Sequence, residues 1–472
     1  MPVRSVFVCQ QCGHESPKWE GQCPSCQAWN AMVETAVARS RVAVGSGAPR
    51  SSSRTAIAIA GKPVPMPIGE LSSAEAARLP SSIGEVDRVL GGGFVPGSVV
   101  LFGGDPGIGK STLLLQLAAR LAAGGQRVLY VSGEESATQV RSRAERVGGV
   151  VPGLSVLATT DLEGVVEALE GSRPPPALVV VDSVQTVASP DLGGPAGSVG
   201  QVRQVAARLA ELARAGATCV ALVGHVTKEG TVAGPRTLEH LVDAVIYLEG
   251  ERLGATRLLR AAKNRFGSTE EVGVLEMRAT GLVEVRDASR FFLESEQPPV
   301  PGGAVTVAVE GSRPLLVEIQ ALVAPAGYGS PRRAVNGIDL NRVLMLIAVL
   351  ARHAGLNLTG HDVYVNVAGG LRIDEPAVDL AAAAALASSL RGVPIRPATA
   401  LAGELSLSGR LRAAGRLESR LAEAGRLGFE RLVSGPPNGP PSAAPARSPH
   451  SRPELVAAGD IRSALDAALA RF

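Results

Sequence analysis

The chain has 472 residues, enough for about three domains of about 150 residues each. Its 47 Lys and Arg residues nearly balance 44 Asp and Glu, which excludes a strongly basic or strongly acidic protein and confines any nucleic-acid-binding surface to local clusters. Hydrophobic residues make up 45% of the chain and aromatic residues only 3%, a composition typical of α/β layers packed with small aliphatic side chains. The longest strongly apolar stretch, "VLMLIAVLA", is too short to span a bilayer, so we expect a cytoplasmic protein without a membrane segment.

The first thirty residues hold most of the thiols of the chain. Four of the five cysteines stand in two Cys-x₂-Cys pairs: Cys9, Cys12, Cys23 and Cys26. Two such turns can surround one ion with four thiolates, whereas a pair of disulfides, the alternative, belongs to oxidising compartments. We predict a structural zinc site in residues 1–35 and no catalytic zinc, because all four coordination positions are filled. Trp19 and Trp29 could flank a nucleic-acid or protein surface, or they could pack over the metal.

Composition divides the rest of the chain. Residues 36–70 are rich in Ser, Gly, Pro and Ala and predict a flexible linker. Strand and helix patterns alternate over 71–290, and runs such as "ALVVVDS" and "TCVALVG" are typical of a parallel sheet covered on both faces. Cys219, the fifth cysteine, lies in such a run and is expected in the core. Residues 291–472 predict another domain of strands and helices, and its Pro-rich stretch 434–453 predicts a mobile loop.

The strongest motif is "GGDPGIGKST", a P-loop sequence that matches G-x₄-G-K-[ST] between an apolar run and a helical pattern. Its glycines let successive backbone N–H groups face an anion, and the following helix points its positive end at the same place. The predicted nucleotide-binding residues are Gly104, Asp105, Pro106, Gly107, Ile108, Gly109, Lys110, Ser111 and Thr112. We expect Lys110 to contact the β- and γ-phosphates of ATP and Ser111 to hold Mg²⁺.

Acidic residues follow two of the apolar runs. Asp182 ends "LVVVD" and is the expected second Mg²⁺ ligand, directly or through water. Glu134 and Glu135 follow the strand between the P-loop and Asp182, where a carboxylate can orient and deprotonate the attacking water. His225 ends the next strand and either senses the γ-phosphate or is an ordinary loop histidine. Together these residues predict an ATPase.

Longer stretches carry a resemblance to known families. "PSSIGEVDRVLGGGFVPGSVVLFGGDPGIGKST" resembles RecA-type ATPases. The Cys₄ module, "YVSGEES", "VVVDSVQT", "GHVTKEG" and above all "LRAAKNRFGSTEEVGVLEM" resemble the bacterial RadA (Sms) family of DNA-repair proteins. The resemblance runs from Cys9 to the C-terminus. It implies an α/β fold class, with an N-terminal Cys₄ zinc ribbon, a RecA-like P-loop ATPase core at 71–290 and a C-terminal Lon-protease-like α+β domain at 291–472.

The resemblance also implies an activity. Such a protein would be a DNA-dependent, helicase-like ATPase that processes branched recombination intermediates and promotes branch migration with the RecA recombinase. Its partners would be single-stranded and branched DNA, and it would form a ring, expected to be hexameric, with ATP between subunits. One alternative is a RecA-fold switch ATPase that binds protein partners, which single-stranded DNA would not stimulate. A further alternative is an ATP-dependent protease.

The pentapeptide "KNRFG" contains Lys263 and Arg265 and is a signature of this family. The resemblance implies that these two cations complete the ATP site of a neighbouring subunit, as an arginine finger does. In an extended segment they point the same way while Asn264 points oppositely, so both could meet one phosphate cluster. The full set of predicted catalytic residues is Lys110, Glu134, Glu135, Asp182, Lys263 and Arg265.

The C-terminal domain resembles the proteolytic domain of Lon proteases, in which a Ser–Lys pair performs acyl chemistry. The serine position falls on Ala377 within "DEPAVD", and the lysine position falls on Glu418. Because alanine offers no nucleophile, peptide hydrolysis is not expected. We expect a platform for oligomerisation and DNA contact instead, with positive charge from Arg372, Arg410, Arg412, Arg416 and Arg420.

Overall fold

The computed structural model of the protein describes residues 4–9, 15–24, 29, 32–37, 77–225, 238–250, 254–293, 299–327, 330–437 and 452–470. Most of the predicted linker and of the predicted Pro-rich loop lies outside these residues. The first of two compact units comprises the described residues of Met1–Glu249, Arg257–Thr269 and Leu275–Glu284. The second comprises the described residues of Gly250–Thr256, Glu270–Val274 and Val285–Phe472. The domain boundaries expected from the sequence stay predictions.

The N-terminal module is a small antiparallel sheet. Its strands are β1 (Arg4–Cys9), β2 (Glu15–Ser16) and β3 (Met32–Val37), in the order β2-β1-β3. Cys9, Cys23 and Met32 form its small buried cluster, with Phe7 packed against it. A cluster of this size contributes little hydrophobic stabilisation, so a bound metal is expected to hold the module together.

After the N-terminal module the chain alternates strands and helices, most of whose residues belong to the first unit. The first of these elements are α1 (Gly84–Leu90), β4 (Val99–Gly103), α2 (Lys110–Ala123), β5 (Val128–Ser132), α3 (Ala137–Arg146), β6 (Leu154–Ala158) and α4 (Leu162–Glu170). There follow β7 (Leu178–Asp182), α5 (Val199–Gly216), β8 (Cys219–Val223), β9 (Ala244–Glu249), β10 (Thr256–Asn264), β11 (Val272–Arg278) and β12 (Gly281–Glu284).

These strands form a nine-stranded sheet in the order β12-β11-β10-β9-β4-β8-β7-β5-β6. The six strands from β9 to β6 are parallel, and β10 joins β9 antiparallel. Every residue of β4, β7 and β8 is buried, because α1, α2 and α3 pack in one core and α4 and α5 in another. Cys219 is buried in the first of these cores, as expected, and burial raises the pKa of its thiol to about 12. The carboxyl ends of the parallel strands meet at one edge, where ligands of such sheets bind.

The second unit contains an eight-stranded mixed sheet. Its elements are α6 (Ala288–Phe291), β13 (Gly303–Glu310), β14 (Arg313–Pro325), β15 (Arg333–Asn336), α7 (Leu340–Val349), β16 (His361–Val367) and α8 (Asp379–Arg391). There follow β17 (Thr399–Leu405), β18 (Leu411–Ala413), α9 (Leu417–Arg426), β19 (Arg431–Ser434), β20 (Glu454–Ala457) and α10 (Ile461–Ala468). The sheet order is β15-β16-β14-β13-β17-β19-β20, and β18 pairs with β17.

Helix α8 is the centre of this second unit. All of its residues from Asp379 to Ser388 are buried, and most are alanines. These small side chains let the helix lie close to β13, β14 and β17. Gly392, with φ of 67°, ends the helix in the left-handed conformation that glycine adopts without strain. Among the described helices, none has the length and hydropathy that crossing a bilayer requires.

Candidate functional site

The P-loop joins β4 to α2 and forms an anion cradle. Gly104, Gly107 and Gly109 adopt φ values of 146°, 78° and 115°, which residues with a side chain rarely adopt. A Cβ on Gly104 would also lie 2.4 Å from the carbonyl oxygen of Leu248. All three glycines are therefore required by backbone conformation, and Gly104 is required by space as well. The loop leads directly into the N-terminus of α2, where free N–H groups and the helix dipole favour a phosphate.

Lys110 is the first residue of α2, and its ammonium group folds back over the P-loop. Its Nζ donates hydrogen bonds to the carbonyl oxygens of Gly104 at 2.8 Å and Asp105 at 3.0 Å. Burial lowers the pKa of Lys110, and the carboxylates of Asp182, Asp105 and Glu134 oppose that effect. The ammonium is thus held at the cradle by neutral carbonyl groups, which a charged phosphate can replace with a stronger interaction.

Asp182 ends β7 at the same edge of the sheet. Its side chain is only 6% exposed, and Arg143 lies 3.9 Å from its Oδ2. The hydroxyl of Tyr130 donates a hydrogen bond to that oxygen at 2.5 Å. Burial, with the adjacent carboxylate, raises the pKa of Tyr130 well above its ordinary value, so the hydroxyl remains a donor. The acid that we predicted as a Mg²⁺ ligand is therefore held in one orientation.

Glu134 follows β5 and lies in a cluster of polar side chains. The hydroxyl of Ser183 donates to its Oε1 at 2.7 Å, and Nε2 of His225 lies 3.3 Å from the same oxygen. The amide side chain of Gln185 accepts a hydrogen bond from the backbone N–H of His225 at 3.3 Å and donates to its carbonyl oxygen at 3.2 Å. His225 is therefore fixed beside the glutamate. The carboxylate, the hydroxyl and the imidazole together form the polar group at the ends of β5, β7 and β8.

Glu135 takes a different neighbour from Glu134. Its carboxylate forms an ion pair with Arg143 on α3. The hydroxyl of Ser132 accepts from its backbone N–H at 3.1 Å and donates to its carbonyl oxygen at 2.8 Å. The assignment of either glutamate as the base stays a prediction. The geometry favours Glu134, because the carboxylate of Glu135 is already paired with a cation.

Lys263 and Arg265 lie at the end of β10. The Nζ of Lys263 donates to two backbone carbonyl oxygens in residues 238–243, at 2.5 and 2.7 Å. Arg265 donates to Asp243 at 3.3 Å, and its side chain remains 55% exposed. Asn264 turns its amide to a carbonyl on α1 instead. Burial lowers the pKa of Lys263, and the nearby Arg265 adds to that effect. Of the two cations, Arg265 presents more of its charge to solvent.

Comparison with known proteins gives matches over nearly the whole chain. Three family models match: the rubredoxin metal binding domain at residues 7–34, an AAA domain at 65–231 and the Lon protease (S16) C-terminal proteolytic domain at 351–440. The DNA repair protein RadA of Bacillus subtilis strain 168 is 49% identical over 433 residues, which cover 91% of this chain and 92% of that protein. RadA of Halalkalibacterium halodurans is 46% identical over 472 residues, with 99% of each chain covered. This chain belongs to the RadA family of DNA repair proteins.

Two solved structures match just under half of the chain. One is an ATPase domain that is 14% identical, with a TM-score of 0.39, and the match covers 46% of this chain and 94% of that one. The other is a KaiC-like protein from Pyrococcus horikoshii OT3 that is 20% identical, with a TM-score of 0.37, and the match covers 44% of this chain and 99% of that one.

Membership of the RadA family confirms the expected fold class. The chain has an N-terminal zinc ribbon, a RecA-like P-loop ATPase core and a C-terminal Lon-protease-like domain. It is an ATPase of DNA repair, with a structural zinc ion and with ATP and Mg²⁺ at the ATPase domain. The oxygens of Ser111 and Asp182 suit Mg²⁺, which prefers hydroxyl and carboxylate ligands over nitrogen or sulfur. Both lie at the carboxyl edge of the sheet, Ser111 in the first turn of α2 and Asp182 at the end of β7.

The described part of the zinc ribbon fits a tetrathiolate site. Cys9 at the end of β1 and Cys23 are both fully buried, one from each predicted pair. Cys12 and Cys26 lie outside the described residues. Trp19 and Trp29 are 55% and 73% exposed, and both alternatives for them, a binding surface or packing over the metal, stay predictions.

The two positions that we predicted to match the Ser–Lys pair of Lon proteases hold Ala377 and Glu418. Ala377 precedes α8 and is buried. Glu418 in α9 forms an ion pair with Arg452 at 2.9 Å, with both side chains partly exposed. Asp379, at the start of α8, is fully buried and paired with Arg342. Burial raises the pKa of Asp379, and the hydrogen bonds from Arg342 oppose that effect.

One expected platform residue was wrong. Arg420 is not a surface charge, because it is only 1% exposed and its guanidinium is paired with Glu375. It also donates to backbone carbonyl oxygens, including that of Gly415 at 2.7 Å. Arg416 pairs with Glu270 at 2.7 Å and is 43% exposed. An arginine on a helix is usually exposed to solvent, so the sequence alone does not show that Arg420 is buried. Its partner Glu375 is distant along the chain, and the pairing is visible only in the structure.

Sequence reasoning also missed several residues of the site. Tyr130 and Arg143, which surround Asp182, stand in ordinary strand and helix patterns, so neither carries a motif. Ser183 directly follows the predicted Mg²⁺ ligand, and that adjacency was the available signal. Arg257 is 3% exposed and donates to the carbonyl oxygen of Ile108 in the P-loop at 3.0 Å. Burial lowers its pKa.

Proposed function

We propose that the chain is a DNA-dependent, helicase-like motor that processes branched recombination intermediates and promotes branch migration together with the RecA recombinase. The observation that carries this proposal is the full-length similarity to proteins named DNA repair protein RadA, 46% identity over 472 residues, combined with an intact nucleotide cradle. A motor needs a source of energy and a polymer to act on. The P-loop site would supply the energy by hydrolysing ATP, and membership of a DNA repair family indicates that the polymer is DNA.

In the proposed reaction, Glu134 accepts a proton from the attacking water. The water oxygen bonds to the γ-phosphorus, and the bond from that phosphorus to the β–γ bridging oxygen breaks, leaving its electron pair on ADP. Glu134 then returns the proton to the phosphate product. Lys110 stabilises the negative charge on the γ-phosphoryl oxygens, while Asp182 and Ser111 hold Mg²⁺, which neutralises phosphate charge when bound.

The proposed assembly is a hexameric ring with each ATP at a subunit boundary. Arg265 supports this arrangement, because it lies at the end of an antiparallel strand and keeps 55% of its side chain exposed. Lys263 is bound to the backbone of its own chain, so it is better suited to hold the segment than to reach out. We propose Arg265 as the finger for the neighbouring ATP and Lys263 as its support.

We propose that the Lon-like domain contributes the DNA-facing charge. Arg372 and Arg412 are 77% and 71% exposed, and their ion pairs with Asp374 and Glu404 are of the exposed kind that contributes little. Arg410 is also exposed. A phosphate backbone can therefore compete for these guanidinium groups, at an affinity that falls as salt rises.

The test compares ATP hydrolysis without DNA, with single-stranded DNA and with forked DNA, followed by branch migration on a joint molecule with and without RecA recombinase. We expect stimulation by both DNAs and migration that requires ATP. A rate that no DNA changes, together with stimulation by a protein partner, would favour the switch ATPase over the motor. Arg372→Ala combined with Arg412→Ala should weaken DNA binding without changing the DNA-free rate.

A further inference from the structure

Ser183 lies between the two carboxylates of the ATP site. It directly follows Asp182 and is fully buried. Its hydroxyl holds Oε1 of Glu134 at 2.7 Å, and His225 lies beside the same oxygen at 3.3 Å. Within the described part of the chain, Oε2 of Glu134 has no hydrogen-bond partner. One oxygen of this carboxylate is therefore fixed, and the other is available.

We propose that Ser183 is a positioning residue for ATP hydrolysis: by holding Oε1, it aims Oε2 of Glu134 at the attacking water. This inference rests on the role proposed above for Glu134. A carboxylate of a surface-exposed glutamate rotates freely, and a small misplacement of a reacting group can lower a rate substantially. A hydrogen bond to a charged oxygen is strong enough to select one rotamer.

The backbone around Ser183 is itself restrained. The hydroxyl of Thr186 donates to the carbonyl oxygen of Ser183 at 2.8 Å. Gly133 makes room for Thr186, because a Cβ there would lie 2.1 Å from the threonine hydroxyl. The N–H of Val184 donates to the carbonyl oxygen of Val223 at 3.0 Å, which ties this turn to β8. The hydroxyl that holds Glu134 is thus mounted on rigid structure rather than on a free loop.

The hydrogen bond from Ser183 to Glu134 connects the glutamate to the predicted Mg²⁺ ligand Asp182, because Ser183 is adjacent to Asp182. Asp182 is oriented by Tyr130, and Ser183 is the next residue along the chain. The hydroxyl therefore sets the position of Glu134 relative to the acid that would hold Mg²⁺. His225 shares the same oxygen at the longer distance, and it belongs to a different strand end. Ser183 is for these reasons the stronger determinant of where Glu134 points.

The test measures DNA-free, steady-state ATP hydrolysis of the full chain over a range of ATP concentrations for S183A, S183T, E134Q and the double variant S183A/E134Q. We expect S183A to lower kcat on the order of tenfold, with KM for ATP unchanged, because one hydrogen bond to a charged group is lost. S183T keeps the hydroxyl and should retain most of the activity. In the E134Q background S183A should have no further effect, because Ser183 acts through Glu134.

Ser98→Ala is the matched control, since the Ser98 hydroxyl is buried and has no hydrogen-bond partner within the described chain. It should leave kcat unchanged. If E134Q is impaired, three results would overturn the positioning role of Ser183. The first is a wild-type kcat in S183A, and the second is a change in the KM for ATP alone. The third is that S183A lowers kcat as much in the E134Q background as it does alone. Wild-type turnover in E134Q would overturn the proposed role of Glu134, and the inference with it.

Discussion

The ATPase core and the Lon-like domain both bury charged side chains, but they pair them differently. In the ATPase core, Lys110 is bonded to neutral carbonyl groups, and Asp182 accepts a tyrosine hydroxyl while the guanidinium of Arg143 lies 3.9 Å away, beyond hydrogen-bond distance. In the Lon-like domain, Arg420 is paired with Glu375, and Asp379 with Arg342. A charge held by neutral groups keeps its field for a ligand, whereas a charge held by its opposite is largely cancelled.

This difference separates a site built for a ligand from one built for the fold. Perturbed charges alone do not distinguish the two, because structural ion pairs also shift pKa values. The pKa of Lys110 is lowered by burial, while that of Arg342 is raised by its bonds to Asp379. A bound anion would therefore stabilise the charged form of Lys110, whereas the charge of Arg342 is already stabilised by Asp379. The substitutions below test whether the two regions differ in this way.

The largest effect is expected at the P-loop. Lys110→Ala should lower ATP hydrolysis on the order of 10³-fold or more, because the cation at the transferred phosphoryl group is lost. Lys110→Arg should keep part of the nucleotide binding, since the charge survives but the compact ammonium does not. Phosphate release and fluorescent-nucleotide binding measure the two effects. Arg120→Ala, an exposed change on the same helix, is the control, and normal turnover in either Lys110 variant would contradict the site.

A similarly large effect is expected at Arg265. Arg265→Ala should lower kcat on the order of 10³-fold, while ATP binding changes less, because a finger meets charge that develops in the transition state. If Arg265 acts on the neighbouring subunit, mixing this variant with Lys110→Ala should partly restore hydrolysis, since some boundaries then combine an intact P-loop with an intact finger.

Arg260→Ala is the matched control for Arg265, because Arg260 lies on β10, which ends just before Arg265, and pairs with Glu249 at 3.1 Å. We expect it to hydrolyse ATP at close to the normal rate. Mixed Arg265 and Lys110 variants that stay inactive, despite measured exchange of subunits, would argue against a shared site. A salt-sensitive loss of DNA affinity in Arg265→Ala with normal hydrolysis would identify a DNA contact instead.

The sequence predicts features that depend on neighbouring residues better than features that depend on residues far apart in the chain. The P-loop is a local motif, since its backbone conformation, helix start and lysine all follow from ten consecutive residues. The apolar runs likewise located β4, β7 and β8, because strands buried on both faces must be apolar throughout. What the sequence did not predict depends on pairing between distant segments: Tyr130 with Asp182, Ser183 with Glu134, and Arg420 with Glu375.

The Lon-like domain should respond in stability rather than in turnover. Removing Arg420 leaves the buried side of Glu375 without its partner, so Arg420→Ala is expected to destabilise the domain by about 3–5 kcal/mol. Arg412→Ala, at a side chain 71% exposed and 3.6 Å from Glu404, should change stability by less than about 1 kcal/mol. Scanning calorimetry measures both changes in stability. The unfolding transition of the Lon-like domain is identified as the one whose midpoint temperature ATP and Mg²⁺ do not raise. Equal effects of the two arginines would show that the buried pair contributes no more to stability than the exposed one.

The smallest effect is expected where the Lon-like domain has its greatest resemblance to an enzyme. Ala377→Ser places a hydroxyl at the position that we predicted to match the Lon nucleophile, yet we expect no peptidase activity. A serine hydroxyl needs a base to become a nucleophile, and the corresponding partner position holds Glu418, which is paired with Arg452 at 2.9 Å. Fluorogenic peptides and a serine-reactive fluorophosphonate probe measure turnover and labelling at position 377. Labelling of A377S above the unmodified protein would show that an activating environment persists around α8, and the domain would then keep a site for a ligand as the ATPase core does.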